Sequence, residues 1–241
     1  MVKLTFLGTR GEIEPKTRRH RMHTSLLIVH RGKKIMLDCG ESWLGKLKKV
    51  QPDYIVLTHA HPDHAFGLKQ GAPCPVWATK ETWNYIQKFP ITQKRLIKPR
   101  TLTRIGGITF EAFPVWHSVR CPAVGYRITC QKIKFFYVPD VAYIPAIDEA
   151  FKQIQFYVGD GATLWRPMIR KNKKTGEIFG HATIRQQLTW CKKQKVPKMI
   201  ITHCGSDIVK NEKKLLKRIE AFAQEKQIEV EIAYDGMQIT L

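Results

Sequence analysis

Four side chains able to bind a metal fall within one short run, His59-Ala60-His61-Pro62-Asp63-His64. The run follows directly on Asp53–Thr58 (Asp-Tyr-Ile-Val-Leu-Thr), an apolar segment that reads as a strand. Two imidazoles separated by one residue on extended chain can both reach a single ion. A helix expected over Asp63–Lys69 then turns a carboxylate and a third imidazole toward a second ion. Nitrogen and oxygen donors of this kind suit Zn²⁺, with Mn²⁺ or Fe as alternatives. Surface or satisfied core histidines are the plainer reading, and so dense a run of ligand-type residues counts against it.

The run resembles the His-x-His-x-Asp-His signature of the metallo-β-lactamase superfamily. Three further residues match the family's remaining ligand positions, in order, each at the end of an apolar segment. His117 closes Phe113-Pro114-Val115-Trp116-His117, Asp140 closes Phe135-Phe136-Tyr137-Val138-Pro139-Asp140, and His203 closes Met199-Ile200-Ile201-Thr202-His203. The resemblance spans about residues 4 to 240 and implies an α/β fold, the αβ/βα four-layer sandwich. It also implies that His59, His61 and His117 hold one metal, that Asp63, His64 and His203 hold the other, and that Asp140 bridges them. Two ions about 3.5 to 4 Å apart acidify a bridging water and clamp the attacking and leaving oxygens. A bridging hydroxide is then the implied nucleophile, with Asp63 orienting it or briefly holding its proton.

Fold alone does not name a substrate. The discriminating feature is Gly180-His181-Ala182-Thr183, a His-x-Thr expected to open a helix 22 positions ahead of His203. It resembles a motif of tRNase Z and of the small phosphodiesterases of phosphonate-degradation operons. The resemblance implies that His181 contacts the scissile phosphate and assists departure of the leaving oxygen, with Thr183 beside the substrate. An imidazole near two cations can hydrogen-bond a developing phosphorane oxygen, and a helix N-terminus favours an anion. The plainer reading is a histidine that merely begins a helix. Only 22 residues separate His117 from Asp140, too few for the long arm with which tRNase Z grips tRNA. The leading expectation is a dinuclear-metal phosphodiesterase acting on nucleic acid or a nucleotide diester. A lactone, ester or thioester hydrolase and a nucleic-acid-binding protein with a structural metal site are the alternatives.

Charge points toward the same partner. Against 41 Lys and Arg stand 20 Asp and Glu, a net charge of +21, and such an excess draws polyanions. The basic loop 14–21 offers Arg18, Arg19 and Arg21 as candidate phosphate contacts over the site. Further clusters are Lys94-Arg95 with Lys98 and Arg100; Arg166, Arg170, Lys171, Lys173 and Lys174; and Lys210, Lys213, Lys214 and Lys217. Together they could track a nucleic-acid backbone, with Trp116 or Trp165 stacking a base; singly each is more often a solvated face.

The elements that must position these groups are strands with helices interspersed, in one domain over residues 1–241. Strands are expected at Leu4–Leu7, Ser25–His30, Lys34–Leu37, Ile108–Trp116, Ala123–Cys130, Lys132–Val138, Gln155–Val158 and Lys198–Thr202. Helices are expected at Lys80–Lys88, Thr183–Lys193 and Lys210–Gln224, and a closing hairpin at Ile228–Ala233 and Met237–Leu241 around Asp235-Gly236. Six cysteines without a Cys-x-x-Cys pair suit buried free thiols in a reducing compartment. Neither a signal peptide nor an apolar run long enough for a membrane span is apparent, so a cytoplasmic protein is expected, possible as a homodimer.

Overall fold

Apolar residues alternate along the strands and so supply two faces of every sheet. In Val2–Gly8, the side chains of Val2, Leu4 and Phe6 join a buried cluster that also holds Ile108, Phe110, Tyr126, Phe135, Tyr137 and Val158. The intervening Phe136, Val138 and Tyr157 face the other way, into a second cluster with Ile184, Leu188, Leu215 and Ile219. A third cluster sets Met36, Ile55 and Val76 against Leu47, Ala65 and Ile86. The result is helix, sheet, sheet, helix: the four-layer αβ/βα arrangement. Each fully buried Phe in the central layer contributes about 1.5–3 kcal/mol relative to an exposed one. The buried phenols also find partners, Tyr126 donating to Leu57 O at 2.7 Å and Tyr157 to Gln187 Oε1 at 2.8 Å.

The computed structural model describes residues 1–173 and 175–241; Lys174, one of the basic residues named above, lies outside them. From edge to edge the first sheet runs Gln238–Thr240, Val2–Gly8, Ser25–His30, Lys33–Leu37, Tyr54–Val56, Val76–Ala78 and Lys94–Leu96. The second runs Glu229–Ile232, Lys198–Thr202, Phe156–Asp160, Ile133–Tyr137, Ala123–Cys130, Ile108–Val115 and Leu102–Ile105. Among the described residues, Met168–Lys171 and Ile178–His181 form a separate two-stranded sheet.

Several elements depart from the expected ones. The closing hairpin does not form: Glu229–Ile232 pairs in parallel with Lys198–Thr202, and Gln238–Thr240 pairs antiparallel with Val2–Gly8 in the other sheet. The turn at Asp235-Gly236 carries the chain between sheets, its Gly236 N–H bonded to Phe6 O at 2.7 Å. The expected helix over Asp63–Lys69 is a single α turn, Pro62–Ala65, followed by a 3₁₀ turn, Phe66–Leu68. The helix expected from Lys210 begins earlier, at Ser206, and runs to Glu225 with a kink at Asn211. All six cysteines are buried and unpaired. Among the described residues no helix is long and apolar enough to cross a membrane.

Parallel pairing brings strand ends together on one side. Lys33–Leu37 lies parallel to Tyr54–Val56, and Ile133–Tyr137, Phe156–Asp160 and Lys198–Thr202 are parallel neighbours. Their carboxyl ends deliver Asp38, His59, Asp140, Asp160 and His203 to one region, the usual place for a site in such sheets.

Candidate metal centre

His59 Nε2 and His117 Nε2 each lie 3.1 Å from His61 Nδ1. Asp140 Oδ2 closes the group, 3.4 Å from His59 Nε2 and 3.2 Å from His117 Nε2. A tetrahedral Zn²⁺ with ligands at about 2.0–2.1 Å has donor atoms separated by about 3.3 Å, so these spacings fit its edges. Beside it, Asp63 Oδ2 stands 2.9 Å from His203 Nε2 and 3.4 Å from His64 Nε2, and Asp140 Oδ2 stands 3.3 Å from His64 Nε2. Asp140 therefore belongs to both groups. His64 Nε2, His203 Nδ1 and Asp140 Oδ1 are buried and make no well-aligned hydrogen bond among the described residues, although His203 Nδ1 and Asp140 Oδ1 stand 2.9 Å apart as an ion pair. Buried donors and acceptors without good hydrogen-bond geometry are costly, and a divalent cation among them would remove that cost.

The electrostatics of Asp140 and of the first group agree. Burial works to raise the Asp140 pKa, but His203, His117 and His64 around it hold the carboxyl well below its ordinary range. Burial pushes the His59 pKa well down and the His117 pKa down to about 4, keeping these imidazoles neutral, the form that ligates metal.

Two buried carboxylates absent from the expected set position side chains of the cluster. Asp38 accepts from Thr58 N at 2.8 Å, from Thr58 Oγ1 at 3.0 Å and from His64 Nδ1 at 3.1 Å, which turns His64 Nε2 toward the centre. Asp160 accepts from Val141 N at 3.0 Å, from Ala162 N at 2.8 Å and from His181 Nδ1 at 2.7 Å. Each stands at or just beyond the end of an apolar strand, the signal that singled out Asp140. Asp38 and His203 also adopt left-handed backbone, with φ of 58° and 50°, unusual for residues other than glycine. Gly40 fits beneath Asp63 only because it lacks a Cβ, which would run into the Asp63 carbonyl. Cys121 accepts from Ala60 N at 3.1 Å and so braces the loop between His59 and His61.

A cleft of about 430 Å³ opens over the centre, lined by His61, Asp63, His117, Asp140, His181 and His203, with Glu12, Arg166, Ser206 and Asp207 at its walls. His181 does not open a helix; it ends the strand Ile178–His181, and Thr183 caps the helix Ile184–Lys193 by accepting from Gln186 N at 3.0 Å. That role holds Thr183 buried and outside the cleft wall. Nor do Arg18, Arg19 and Arg21 line the cleft. Arg19 is drawn away by a two-point contact with Glu212, at 2.8 and 2.9 Å, and lies over the Tyr234 ring. The Arg21 and Met22 amides are tied to Asp235. Trp116 packs on Tyr143, and Trp165 on Phe222 beneath Arg218, so neither ring faces the cleft. Of the basic clusters, Arg166 alone lines it among the described residues.

Comparison with known proteins matches residues 33–204 to the model of a beta-lactamase superfamily domain. The ribonuclease Z of Methanopyrus kandleri is 29% identical over 147 residues, 54% of this chain and 51% of that protein. The chain thus spans about half the length of that relative. The solved structure of YhfI from Bacillus subtilis, a metallo-beta-lactamase fold protein, superposes with a TM-score of 0.76 at 16% identity, covering 99% of this chain and 98% of that one. Human tRNase Z, short form, superposes with a TM-score of 0.68 at 19% identity, covering 99% and 98%.

Proposed function

The chain belongs to the beta-lactamase superfamily, and we propose that within it the protein is a metal-dependent phosphodiesterase acting on nucleic acid or a nucleotide diester. The observation that carries this reading is His181, set in the wall of the cleft and held at Nδ1 by the buried Asp160 carboxylate at 2.7 Å.

His59, His61, His117 and Asp140 would hold one divalent ion, and Asp63, His64, His203 and Asp140 the second; the nitrogen and oxygen donors suit Zn²⁺. Such ions supply Lewis acidity, acidifying water and neutralising charge on phosphoryl oxygens. Asp63 lines the cleft and can take the proton of an attacking water. With Nδ1 occupied by Asp160, His181 has Nε2 left for a substrate oxygen. Burial works to lower the His181 pKa, and the Asp160 carboxylate overrides it, raising the pKa above its ordinary 6.5. A protonated His181 can donate to the leaving oxygen of a diester, which departs as a poor, strongly basic group. The resemblance of part of the chain to curated ribonuclease Z sequences supports the same chemistry.

The test is turnover by zinc- or manganese-reconstituted protein of bis(p-nitrophenyl) phosphate, beside p-nitrophenyl phosphate and a simple lactone. Diester hydrolysis should exceed the other two. Lactone hydrolysis with no diester cleavage would overturn the reading.

A further inference from the structure

The hairpin made by Met168–Lys171 and Ile178–His181 stands outside both large sheets, yet its base is stitched to the centre. Gly180 N donates to His117 O at 2.7 Å, His117 Nδ1 donates to Gly180 O at 3.0 Å, and Ala182 N donates to Val141 O at 2.7 Å. His181 is the hairpin's last residue. Arg166 and Met168 line the cleft, and Arg170 lines an adjoining depression with Phe179 and His181.

Arg166, Arg170, Lys171 and Lys173 are all exposed, and no carboxylate among the described residues forms an ion pair with any of them. Cations without an ion pair are common in a chain with 41 Lys and Arg against 20 Asp and Glu; these four are set apart by lying on, or at the base of, the hairpin that ends in His181. The hairpin's acidic residue Glu177 is engaged locally, accepting from Thr175 Oγ1 at 2.9 Å. Unpaired cations gathered on the element that carries His181 present a ready surface for a polyanion backbone.

The floor of the cleft limits the form of that polyanion. Asp63 and Asp140 are only 3% exposed, beneath a cleft of about 430 Å³. A single nucleotide enters such a space; the stacked pairs of a duplex do not without unpairing.

We propose that the hairpin, through Arg170, Lys171 and Lys173 with Arg166 at its base, grips the backbone of a single-stranded polynucleotide and sets one phosphodiester against His181. This rests on the phosphodiesterase reading above and assigns its substrate grip to a segment between Asp140 and His203. His181 ends one strand of the hairpin, so a polynucleotide bound along the hairpin lies next to the histidine.

Two triple variants test it: Arg170→Gln/Lys171→Gln/Lys173→Gln on the hairpin and Lys213→Gln/Lys214→Gln/Lys217→Gln on the helix Ser206–Glu225. Both remove the same charge. Affinity for a labelled 20-nucleotide single-stranded RNA, followed by anisotropy across a salt series, should fall on the order of tenfold in the hairpin variant, with a salt slope lower by about 2. The ratio of kcat/KM for RNA to that for bis(p-nitrophenyl) phosphate should fall in parallel. Equal weakening by the helix variant would reduce the effect to net charge and overturn the proposal. Tighter binding of duplex RNA, or capture by phosphatidylserine vesicles with RNA ignored, would overturn it too. Absence of diester turnover in the wild type, with the hairpin-specific binding loss intact, removes the phosphodiesterase reading alone. Diester turnover with binding indifferent to the hairpin removes the grip alone.

Discussion

Asp160 Oδ2 lies 2.7 Å from His181 Nδ1, and the same carboxyl receives the Val141 amide beside Asp140. One buried group thus ties the histidine proposed for leaving-group assistance to the residue shared by both candidate metal groups. Asp160→Asn keeps the shape but surrenders the charge that favours a protonated His181. Its kcat on a dinucleotide diester, whose alkoxide leaving group needs a proton, should fall on the order of 10²-fold, with metal content retained on elemental analysis. A wild-type rate in that variant would show that the pair serves packing alone.

The centre should be emptied by chelation and refilled. Treatment with a strong chelator should abolish diester hydrolysis and lower the Tm, because an ion that binds only the folded state stabilises it. Elemental analysis should find about two ions per chain in the wild type and about one in His117→Ala. Full activity after complete metal removal would refute the assignment of these residues as ligands.

Gly180 has φ of 114°, and a Cβ there would collide with the Met168 carbonyl across the hairpin. Gly180→Ala should therefore cost about 1–3 kcal/mol locally and displace His181. The expected result is a large drop in kcat with a smaller change in global urea stability. Unaltered kinetics would mean that the hairpin tolerates rearrangement without moving the histidine.

Acid should weaken the anchoring of the loop 9–23. Burial works to raise the Glu212 pKa, but Arg19 and His20 override it and hold the carboxyl below its ordinary 4.5. A carboxylate depressed on folding adds stability above its unfolded pKa and loses it as pH falls through the folded one. Stability should therefore decline as pH drops below about 4.5, and Glu212→Gln should flatten that decline in urea titrations at successive pH values. An unchanged pH profile would assign the acid sensitivity to other carboxylates.

The residues that the fold gathers into one cluster were legible in the sequence because strand ends and a dense local motif announce them: His59 through His64, then His117, Asp140 and His203. Asp38 and Asp160 carry the same strand-end signal singly, with no neighbouring motif to draw attention to them. Asp235-Gly236 has the chemistry of a hairpin turn, yet its flanking strands find better partners far off in sequence, in Val2–Gly8 and Lys198–Thr202. The hairpin carrying His181 escaped notice because Met168–Lys171 is short and largely exposed, without the alternation of a half-buried strand. Arg18, Arg19 and Arg21 look like phosphate contacts by composition, but Glu212 and Asp235, distant in sequence, decide where that loop lies.

The most direct measurement compares metal-reconstituted wild type with His181→Ala on a dinucleotide diester, whose alkoxide leaving group needs a proton, beside a simple lactone and with metal content checked in both proteins. The predicted result is diester turnover above lactone turnover, falling 10² to 10⁴-fold in the variant while bound metal stays the same, roughly the range for loss of a positioned general acid. Diester turnover indifferent to His181, or lactone turnover alone, would contradict the proposed phosphodiesterase chemistry.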